Sequence, residues 1–485
     1  MSNTTSTTTT TTSAKLDPAV IRIAIALLTG AIAVIFDTTI VAVALHQLAA
    51  DLNTDVATIQ WVSTGYLLAL GVTIPLVGWL QSRLGGKRLW MMALTLFLIG
   101  SILCAAAWNV ESLIAFRVVQ GLGGGAMLPL LTTMIMQAAR GQNISRLMAT
   151  VALPTALGPI LGPVIGGLIL AVGSWQWLFL VNIPLGVVGL ILAWRMLPAD
   201  GPRKPIRLDV VGFVLLAPAL VALLWGLSNV AGDGGFANVD VIAPLAAGVV
   251  LLVAFVLWAL RKKLDPLLDL RVLRHRATWS ATALMFLSGA SLYGSMLLLP
   301  LYWQELRGAD ALGAGLLLIP QGVGSLLSRS LAARLMDRIG GRAVALLGFA
   351  LVAVATVPFA FADGTTSIWL LGAILLVRGL GMGIVFIPLL AVAFLGLEHD
   401  EVPHASVITR IAQQIGGSLG VALLAVILAV SATAAGSLVV GFQIAFWWAV
   451  GFSVVSVGLA FILPGRPRTV VELTPEEVPK AAELA

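Results

Sequence analysis

Charged residues and cysteine are scarce in this chain of 485 residues. Only 10% of the residues are charged, whereas 59% are hydrophobic. Soluble globular proteins carry about 25% charged residues, so this composition excludes an ordinary soluble domain. The single cysteine, Cys104, excludes an intramolecular disulfide and a thiolate metal cluster.

Several patterns of enzyme and nucleotide sites are also missing. The chain has no His-Glu-x-x-His sequence, no pair of neighbouring carboxylates suited to acid–base chemistry and no Walker lysine. The glycine-rich stretch at 121–125 lies inside a hydrophobic run, so we exclude a phosphate-binding loop. We therefore expect no enzyme, no cofactor, no bound metal and no use of nucleotide.

Apolar runs long enough to cross a bilayer recur along nearly the whole chain. They predict an all-α polytopic membrane protein with fourteen transmembrane helices. The expected spans are 19–45, 56–80, 89–108, 111–138, 144–172, 177–197, 208–230, 241–261, 277–302, 311–335, 343–362, 367–395, 404–431 and 438–463.

Positive charge is concentrated in alternate loops between these spans. One set of loops holds nearly all the basic residues: Arg83, Lys87, Arg88, Arg140, Arg146, Arg203, Lys204, Arg207, Arg261, Lys262, Lys263, Arg271, Arg274, Arg276, Arg334, Arg338, Arg342, Arg466 and Arg468. The other set carries acidic residues and only Arg307. The positive-inside rule predicts a multi-pass protein of the cytoplasmic membrane with both termini in the cytoplasm. The net charge of +6 lies in these loops and does not indicate nucleic-acid binding.

The chain contains an internal repeat. GWLQSRLGGKR at 78–88 resembles ARLMDRIGGR at 333–342, and RVVQGLGGGAM at 117–127 resembles RGLGMGIVF at 378–386. These offsets predict two six-helix halves, at 18–200 and 266–464, with two helices inserted between them at 201–265. Residues 1–17 are rich in Thr and Ser and predict a disordered cytoplasmic tail, and 465–485 form a second tail.

Several motifs resemble those of the major facilitator superfamily, and of its fourteen-span drug:proton antiporter group in particular. FDTTIVAVAL at 36–45 is similar to the first-helix motif of that group, and 78–88 to the loop between helices 2 and 3. RVVQG at 117–121 resembles the fourth-helix arginine motif, and GPILGPVIGG at 158–167 the fifth-helix antiporter motif. WQWLFLVNIPLG at 175–186 is similar to the entry of the sixth helix.

The resemblance implies a proton-coupled antiporter that exports apolar or cationic drugs by alternating access. Export of a lipid or of a specific metabolite is the alternative, and a membrane sensor without transport is a weaker one. The partners expected are the lipid bilayer, protons and a small-molecule substrate, and we expect a monomer.

Asp37 is the first candidate for coupling, because it lies within an apolar span. A charged carboxylate at membrane depth is destabilising, so the protonated form becomes accessible and the side chain can exchange a proton. The alternative is a carboxylate that pairs structurally with a neighbour or faces water.

Arg117 is a second charge in a span, and the resemblance assigns it to the proton relay. Arginine does not deprotonate, so it acts by stabilising a neighbour; Gln120 lies one turn on and can share its network. A clamp between helices is the alternative, and it is the interpretation we favour for Arg378, since no acid lies near it in sequence.

The remaining candidates concern gating and the substrate cavity. Glycines recur at every fourth position beside two prolines and predict a helix face that packs closely against a neighbour. By resemblance, this face gates between the halves. Its residues are Gly158, Pro159, Gly162, Pro163, Gly166 and Gly167. By the same resemblance, Arg83, Asp337 and Arg338 belong to a cytoplasmic latch, or contact anionic lipids instead. Candidate cavity residues, each with packing or solvation as its alternative, are Trp61, Tyr66, Phe286, Tyr293, Met296 and Glu305.

Overall fold

The structure is a computed structural model that describes residues 18–54, 56–139, 158, 161–162, 164–170, 173–201, 207–231, 237–262, 266–398 and 400–465. Within these residues the regular elements are helices, as expected for apolar segments whose backbone groups must be satisfied without water. Both predicted tails, at 1–17 and 465–485, lie outside the described residues except for residue 465.

Eight helices are described within the expected first half. Their bounds are α1 Pro18–Asp51, α2 Val56–Thr73, α3 Val77–Leu84, α4 Gly86–Ala105, α5 Val110–Ala139, α6 164–170, α7 Trp177–Leu180 and α8 Asn182–Met196. Helix α5 packs against α2 and α4, and α1 packs against α5 and α8. These contacts place the middle of α1 inside the half, surrounded by α2, α5 and α8.

The second half is formed by six helices. Their bounds are α11 Arg276–Leu301, α12 Ala311–Leu317, α13 Ile319–Thr356, α14 Ile368–Ala393, α15 Val402–Ala435 and α16 Leu438–Ala460. Helix α13 packs along α14, while α11 packs against α15. Glycines allow the close α11–α15 approach, since a Cβ at Gly416 would stand 2.0 Å from the Phe286 carbonyl oxygen.

The internal repeat is visible in the backbone. Gly85 has φ 85° and ψ 163°, and Gly340 in the second copy has φ 83° and ψ 159°. Side chains other than glycine rarely adopt a φ of this sign. Both copies of the loop therefore turn in the same way between two helices.

Two helices lie between the halves in sequence, α9 Val210–Ser228 and α10 Val239–Arg261. Helix α9 contacts α2 of the first half and α15 of the second. Trp225 of α9 packs on Trp61 with ring centroids 4.3 Å apart, and Leu227 packs near Ala422 of α15. Helix α9 therefore lies at the seam between the halves.

Twelve helices within the described residues are long and apolar enough to cross a membrane. The expected fourteen spans are not all among them. The span expected at 144–172 lies largely outside the described residues, and the one expected at 311–335 is helical but divided between α12 and the start of α13. Its apolar part, Gly313–Ser328, is shorter than a full span.

One end of the bundle carries the basic loops, and we call it the basic side, defined by Lys87, Arg195, Lys262 and Arg276. Lys87 Nζ donates hydrogen bonds to the carbonyls of Trp194 and Leu197, at 2.6 and 2.8 Å, which joins the start of α4 to the end of α8. The halves also meet near this side, where Ser406 Oγ of α15 donates to the carbonyl oxygen of Pro129 in α5 at 3.1 Å.

Candidate functional site

The carboxylate of Asp37 is fully buried in the first half. It lies in the middle of α1 and accepts three hydrogen bonds from side chains of two other helices. Arg117 Nη1 donates at 2.5 Å, while Gln120 Nε2 and Asn182 Nδ2 each donate at 2.9 Å. The charge at membrane depth is therefore balanced by an ion pair and two amides.

Arg117 is held from several sides by α5, α2 and α7. Its Nε donates to the carbonyl oxygen of Val62 at 3.1 Å, and its Nη1 also donates to Gln120 Oε1 at 2.7 Å. The guanidinium lies over the ring of Tyr66, 4.0 Å from the centroid, with the Phe179 ring 5.7 Å away. This enclosure fixes the guanidinium opposite Asp37 and shields the pair from water.

Two members of this cluster were missed by the sequence interpretation. Asn182 begins α8, and Ser101 of α4 accepts from Gln120 Nε2 at 2.6 Å and from Asn182 Nδ2 at 3.2 Å. Both are buried. The available signal was their polarity within apolar spans, and Asn182 also lies in the WQWLFLVNIPLG motif.

The glycine face packs directly against the turn of α1 that carries Asp37. A Cβ at Gly158 would stand 2.2 Å from Ile35 Cγ2, and one at Gly162 would stand 2.0 Å from Thr39 Oγ1. Thr39 Oγ1 also donates to the Gly158 carbonyl oxygen at 3.0 Å. Gly166 faces Ile40, while Gly167 is half-buried; Pro159 and Pro163 lie outside the described residues.

The second half repeats the arginine without its carboxylate. Arg378 lies 261 positions after Arg117, and Ser295 lies 258 positions after Asp37. Arg378 is buried and donates through Nη2 to Ser295 Oγ, through Nε to Thr356 Oγ1 at 3.1 Å and through Nη1 to Gln321 Oε1 at 2.8 Å. Among the described side chains its oxygen partners are neutral, so the serine takes the place that the aspartate has in the first half.

The structure separates the candidate cavity residues into different environments. Tyr66 belongs to the Arg117 cluster, whereas Trp61 is half-buried against α9. Phe286, Tyr293 and Met296 are half-buried on α11, with the Tyr293 ring against Gly417 of α15.

Glu305 is not brought to the buried cluster. It is exposed at the end of α11, in a π-helical turn. Arg307 donates to the carbonyls of Gly364 and Thr366, and no ion pair joins it to Glu305 within the described residues. The placement of Glu305 favours a solvated side chain over a cavity residue.

The latch candidates lie on the basic side. Arg83 is exposed and stands over the Trp79 ring at 5.5 Å, and Arg338 is exposed on α13; the side chain of Asp337 is not described. Asp200 was not singled out from the sequence, yet its carboxylate accepts from the backbone N–H groups of Lys87 and Arg88 at 2.9 and 3.2 Å. It therefore caps the N-terminus of α4.

The geometry provides one buried carboxylate whose charge is balanced by a single guanidinium. Among the described residues, no group of three or more His, Cys, Asp or Glu side chains is placed to hold a metal ion. Protonation of Asp37 would remove the partner of a buried cation, so the cluster can convert a proton into a change of internal charge balance.

The chain is similar to known proteins over most of its length. The family sequence model of the Major Facilitator Superfamily matches residues 27–421. The chain is 36% identical over 416 residues to the "Multidrug resistance protein B homolog" of Mycobacterium tuberculosis, covering 85% of this chain and 77% of that protein. It is 31% identical over 393 residues to the "Putative multidrug resistance protein MdtD" of Serratia proteamaculans, covering 81% and 82%.

The fold is also similar to that of a solved structure, the human organic anion transporter MFSD10 (TETRAN). The TM-score is 0.64, and the match covers 92% of this chain and all of the other. The sequences are only 16% identical, so this likeness shows the fold alone.

Proposed function

This chain belongs to the Major Facilitator Superfamily, and from that premise we propose that it is a proton-coupled efflux transporter that exports small molecules across the cytoplasmic membrane. The multidrug names of the relatives support export of drug-like compounds. The basic loops support an orientation with both termini in the cytoplasm. We also infer fourteen spans, two six-helix halves with the inserted pair between them, and a monomer.

The observation that carries the proposal is the buried Asp37–Arg117 pair, whose atoms are 2.5 Å apart and almost fully shielded from solvent. In the described conformation the ionised carboxylate is the form that fits its surroundings. A proton arriving at Asp37 leaves Arg117 as an unpaired buried charge, and breaking such a pair costs about 3–5 kcal/mol. This cost favours a different packing of the half, so protonation and conformation become coupled.

The glycine face connects this change to movement of the helices. Gly158 and Gly162 contact α1 on both sides of Asp37, at Ile35 and at Thr39. Rearrangement of the cluster therefore acts on the helix contact that the resemblance assigns to gating. Alternating access follows when one protonation state favours each packing arrangement.

The membrane potential provides enough energy for accumulation against a gradient. One elementary charge crossing 100 mV gains about 2.3 kcal/mol. By the rule of tenfold for each 1.4 kcal/mol, this corresponds to about a fortyfold concentration ratio.

The test is efflux from proteoliposomes under an imposed pH gradient, comparing the parent with Asp37→Asn. The substitution retains the shape of the side chain and removes its charge. We expect gradient-driven efflux to be lost, while exchange of substrate down its own gradient persists. Asp240→Asn is the matched control, because Asp240 is exposed at the start of α10.

Two results would contradict the proposal. Unchanged gradient-driven efflux in the Asp37→Asn variant would exclude the coupling role of Asp37. Efflux that requires ATP and ignores the pH gradient would exclude the class of transporter.

A further inference from the structure

The amide of Asn182 is hydrogen-bonded at one end and unpaired at the other. Asn182 is fully buried as the first residue of α8. Its Nδ2 donates to Asp37 Oδ1 at 2.9 Å and to Ser101 Oγ at 3.2 Å. Its Oδ1 is also buried, and no donor to this oxygen is found among the described residues. Buried polar atoms are normally paired, so the unpaired oxygen needs an explanation.

The ionised form of Asp37 fixes the present orientation of the amide. An ionised carboxylate accepts hydrogen bonds and cannot donate them. Asp37 Oδ1 therefore requires the nitrogen end of each amide that it touches, and it accepts from Gln120 Nε2 and Asn182 Nδ2, each at 2.9 Å. Turning either amide would place an oxygen against this charged oxygen. The cluster as it stands fits the carboxylate.

A proton on Asp37 changes what the cluster requires. Asp37 Oδ2 faces the N–H groups of Arg117, which does not deprotonate, so the proton binds at Oδ1. It comes from water, forms an O–H bond and brings the charge of the carboxyl group from −1 to zero. Oδ2 still accepts from Arg117 Nη1, but Arg117 has lost its counter-charge. The new O–H group faces two amide nitrogens, which are donors themselves, so one amide must present its oxygen instead.

Gln120 cannot present its oxygen without breaking a second contact. Its Oε1 accepts from Arg117 Nη1 at 2.7 Å. If the Gln120 amide turned, its NH₂ group would face the guanidinium, which has donors only. Asn182 has no such restraint on its oxygen among the described residues. Its amide can exchange its two ends by half a turn about the Cβ–Cγ bond, a torsion with two broad minima.

Ser101 stabilises the turned orientation. Its Oγ accepts from Gln120 Nε2 at 2.6 Å and from Asn182 Nδ2, and no acceptor for its own hydroxyl hydrogen is found among the described residues. After the turn, Asn182 Oδ1 takes the place of Nδ2 and accepts from both the Ser101 hydroxyl and the protonated Asp37. One end of the amide is unpaired in either orientation, so the protonation state of Asp37 decides between them.

From these contacts we propose that Asn182 is the positioning residue that lets Asp37 hold a proton inside the buried cluster. Its amide donates to the carboxylate and, after half a turn, accepts from the carboxylic acid. The turn requires no movement of the backbone, so it precedes the change in helix packing. Release of the proton reverses the turn. This inference rests on the proposed function, since it concerns how the coupling carboxylate takes up its proton.

The other groups around Asp37 do not perform this exchange. The charged and titratable side chains that act on it electrostatically are Arg117 of α5, Tyr66 of α2 and Cys104 of α4. Arg117 has no acceptor atom. No hydrogen bond joins Tyr66 or Cys104 to Asp37 among the described residues. Asn182 touches the oxygen that takes the proton and keeps its own charge at zero.

The first experiment is infrared difference spectroscopy of the protein in lipid, between neutral and acid pH, with isotope-labelled asparagine. In the parent we expect a carboxylic acid C=O band to appear and one asparagine C=O band to move to lower frequency, because its oxygen gains hydrogen bonds. Asp37→Asn should lose both changes, since the introduced amide does not titrate. Asn182→Leu should lose the amide change and shift the carboxyl band to higher frequency.

The control and the contradicting results are specific to this role. Asn109→Leu should leave the pH-dependent bands unchanged, because Asn109 is exposed before α5. An asparagine band that stays fixed while Asp37 is protonated, or that moves equally in Asn182→Leu, would overturn the proposal. The comparison of the parent with Asp37→Asn remains decisive if Asn182→Leu does not fold.

The second experiment measures efflux in proteoliposomes and separates this inference from the proposed function. Asn182→Leu should lower gradient-driven efflux by about tenfold or more, as the loss of one hydrogen bond to a charged group does, and retain exchange of substrate. An unchanged rate would overturn the role of Asn182. If the pH gradient drives efflux but the asparagine band is fixed, the proposed function stands and this inference falls. If the amide responds to Asp37 but Asp37→Asn leaves gradient-driven efflux unchanged, the inference stands and the coupling role falls.

Discussion

Two arginines at equivalent positions of the repeat have different partners. Arg117 contacts the carboxylate of Asp37, whereas Arg378 contacts the hydroxyl of Ser295. The difference of one side chain leaves a charge uncompensated in the second half. The coupling role that we propose therefore belongs to the first half, and the second half contributes positive potential.

The Ser295→Asp variant tests this asymmetry. The new carboxylate would lie beside the Arg378 guanidinium and pair with it, so we expect the variant to fold with a melting temperature close to that of the parent. Ser288→Asp is the matched comparison, since Ser288 is also a buried serine of α11 and no arginine contact is found there within the described residues. The unpaired charge of the new carboxylate should lower the free energy of unfolding by several kcal/mol.

The measurement is thermal unfolding of both variants in detergent. Equal destabilisation by the two substitutions would show that Arg378 does not stabilise a nearby carboxylate. It would also remove the argument that Ser295 occupies the place of Asp37.

At the scale of elements, the contact between α1 and the glycine face is too close for any other side chain. A Cβ at Gly162 would meet both Oγ1 and Cβ of Thr39, at 2.0 and 2.6 Å. Thr39 is itself buried and hydrogen-bonded, so it cannot turn away. The two segments must separate to admit even a methyl group.

Gly162→Ala should therefore destabilise the protein by about 1–3 kcal/mol, as overpacking in a core does. It should also lower the rate of gradient-driven efflux. Gly451→Ala on α16 is the matched control, because no atom lies within 4 Å of its added Cβ. That change should be neutral or stabilising by up to about 1 kcal/mol. Equal unfolding temperatures for the two variants would contradict the close contact.

Asp209 ties the inserted pair to the rest of the bundle on the basic side. Its carboxylate caps α9 by accepting from Gly212 N–H at 3.0 Å, pairs with Lys262 Nζ at 2.9 Å and accepts from Leu267 N–H at 3.2 Å. Burial alone would raise the pKa of this carboxyl. The hydrogen bonds from Gly212, Lys262, Leu267 and Trp258 outweigh burial and hold the pKa below its ordinary value of 3.8.

The lowered pKa of Asp209 predicts a dependence of stability on pH. A carboxyl with a lowered folded-state pKa contributes stability that is present above its ordinary pKa and is lost as the pH falls through the folded-state value. Melting temperature should therefore drop below about pH 4. Asp209→Asn should be less stable at neutral pH and should lose less on acidification. An acid-induced loss as large in this variant as in the parent would assign the effect to other carboxyls.

At the scale of the whole molecule, the halves are joined on the basic side and α9 lies at their seam. The Ser406 hydrogen bond to Pro129 crosses between the halves. A net hydrogen bond contributes about 0.5–1.5 kcal/mol. Removing it should shift the population toward separation at this side by about two- to tenfold.

Ser406→Ala provides the test, with a cysteine introduced at Thr133 as reporter. Thr133 is 1% exposed and lies one turn after Pro129. The native Cys104 is buried and gives little background labelling. We expect faster thiol labelling of the reporter in Ser406→Ala than in Ser456→Ala, which removes a bond to Phe452 within α16. Equal labelling rates would show that the bond does not hold the halves together.

The local properties of this protein were determined by the sequence. Apolar runs predicted the membrane helices. The repeated loop predicted two related halves, and Gly85 and Gly340 in its two copies adopt the same backbone conformation. Asp37 and Arg117 were identifiable as charges in apolar spans, because such charges are destabilising unless they are paired or used. The likeness of the chain to its family followed from motifs that are contiguous in sequence.

The distances between helices were decided only by the tertiary structure. Asp37 and Asn182 are 145 positions apart, and no local pattern indicates that they touch. The absence of a carboxylate beside Arg378, among the residues that the structure describes, depends on how the helices pack. A charge in a span shows that a partner is needed, but only packing determines whether the partner is a carboxylate or a hydroxyl.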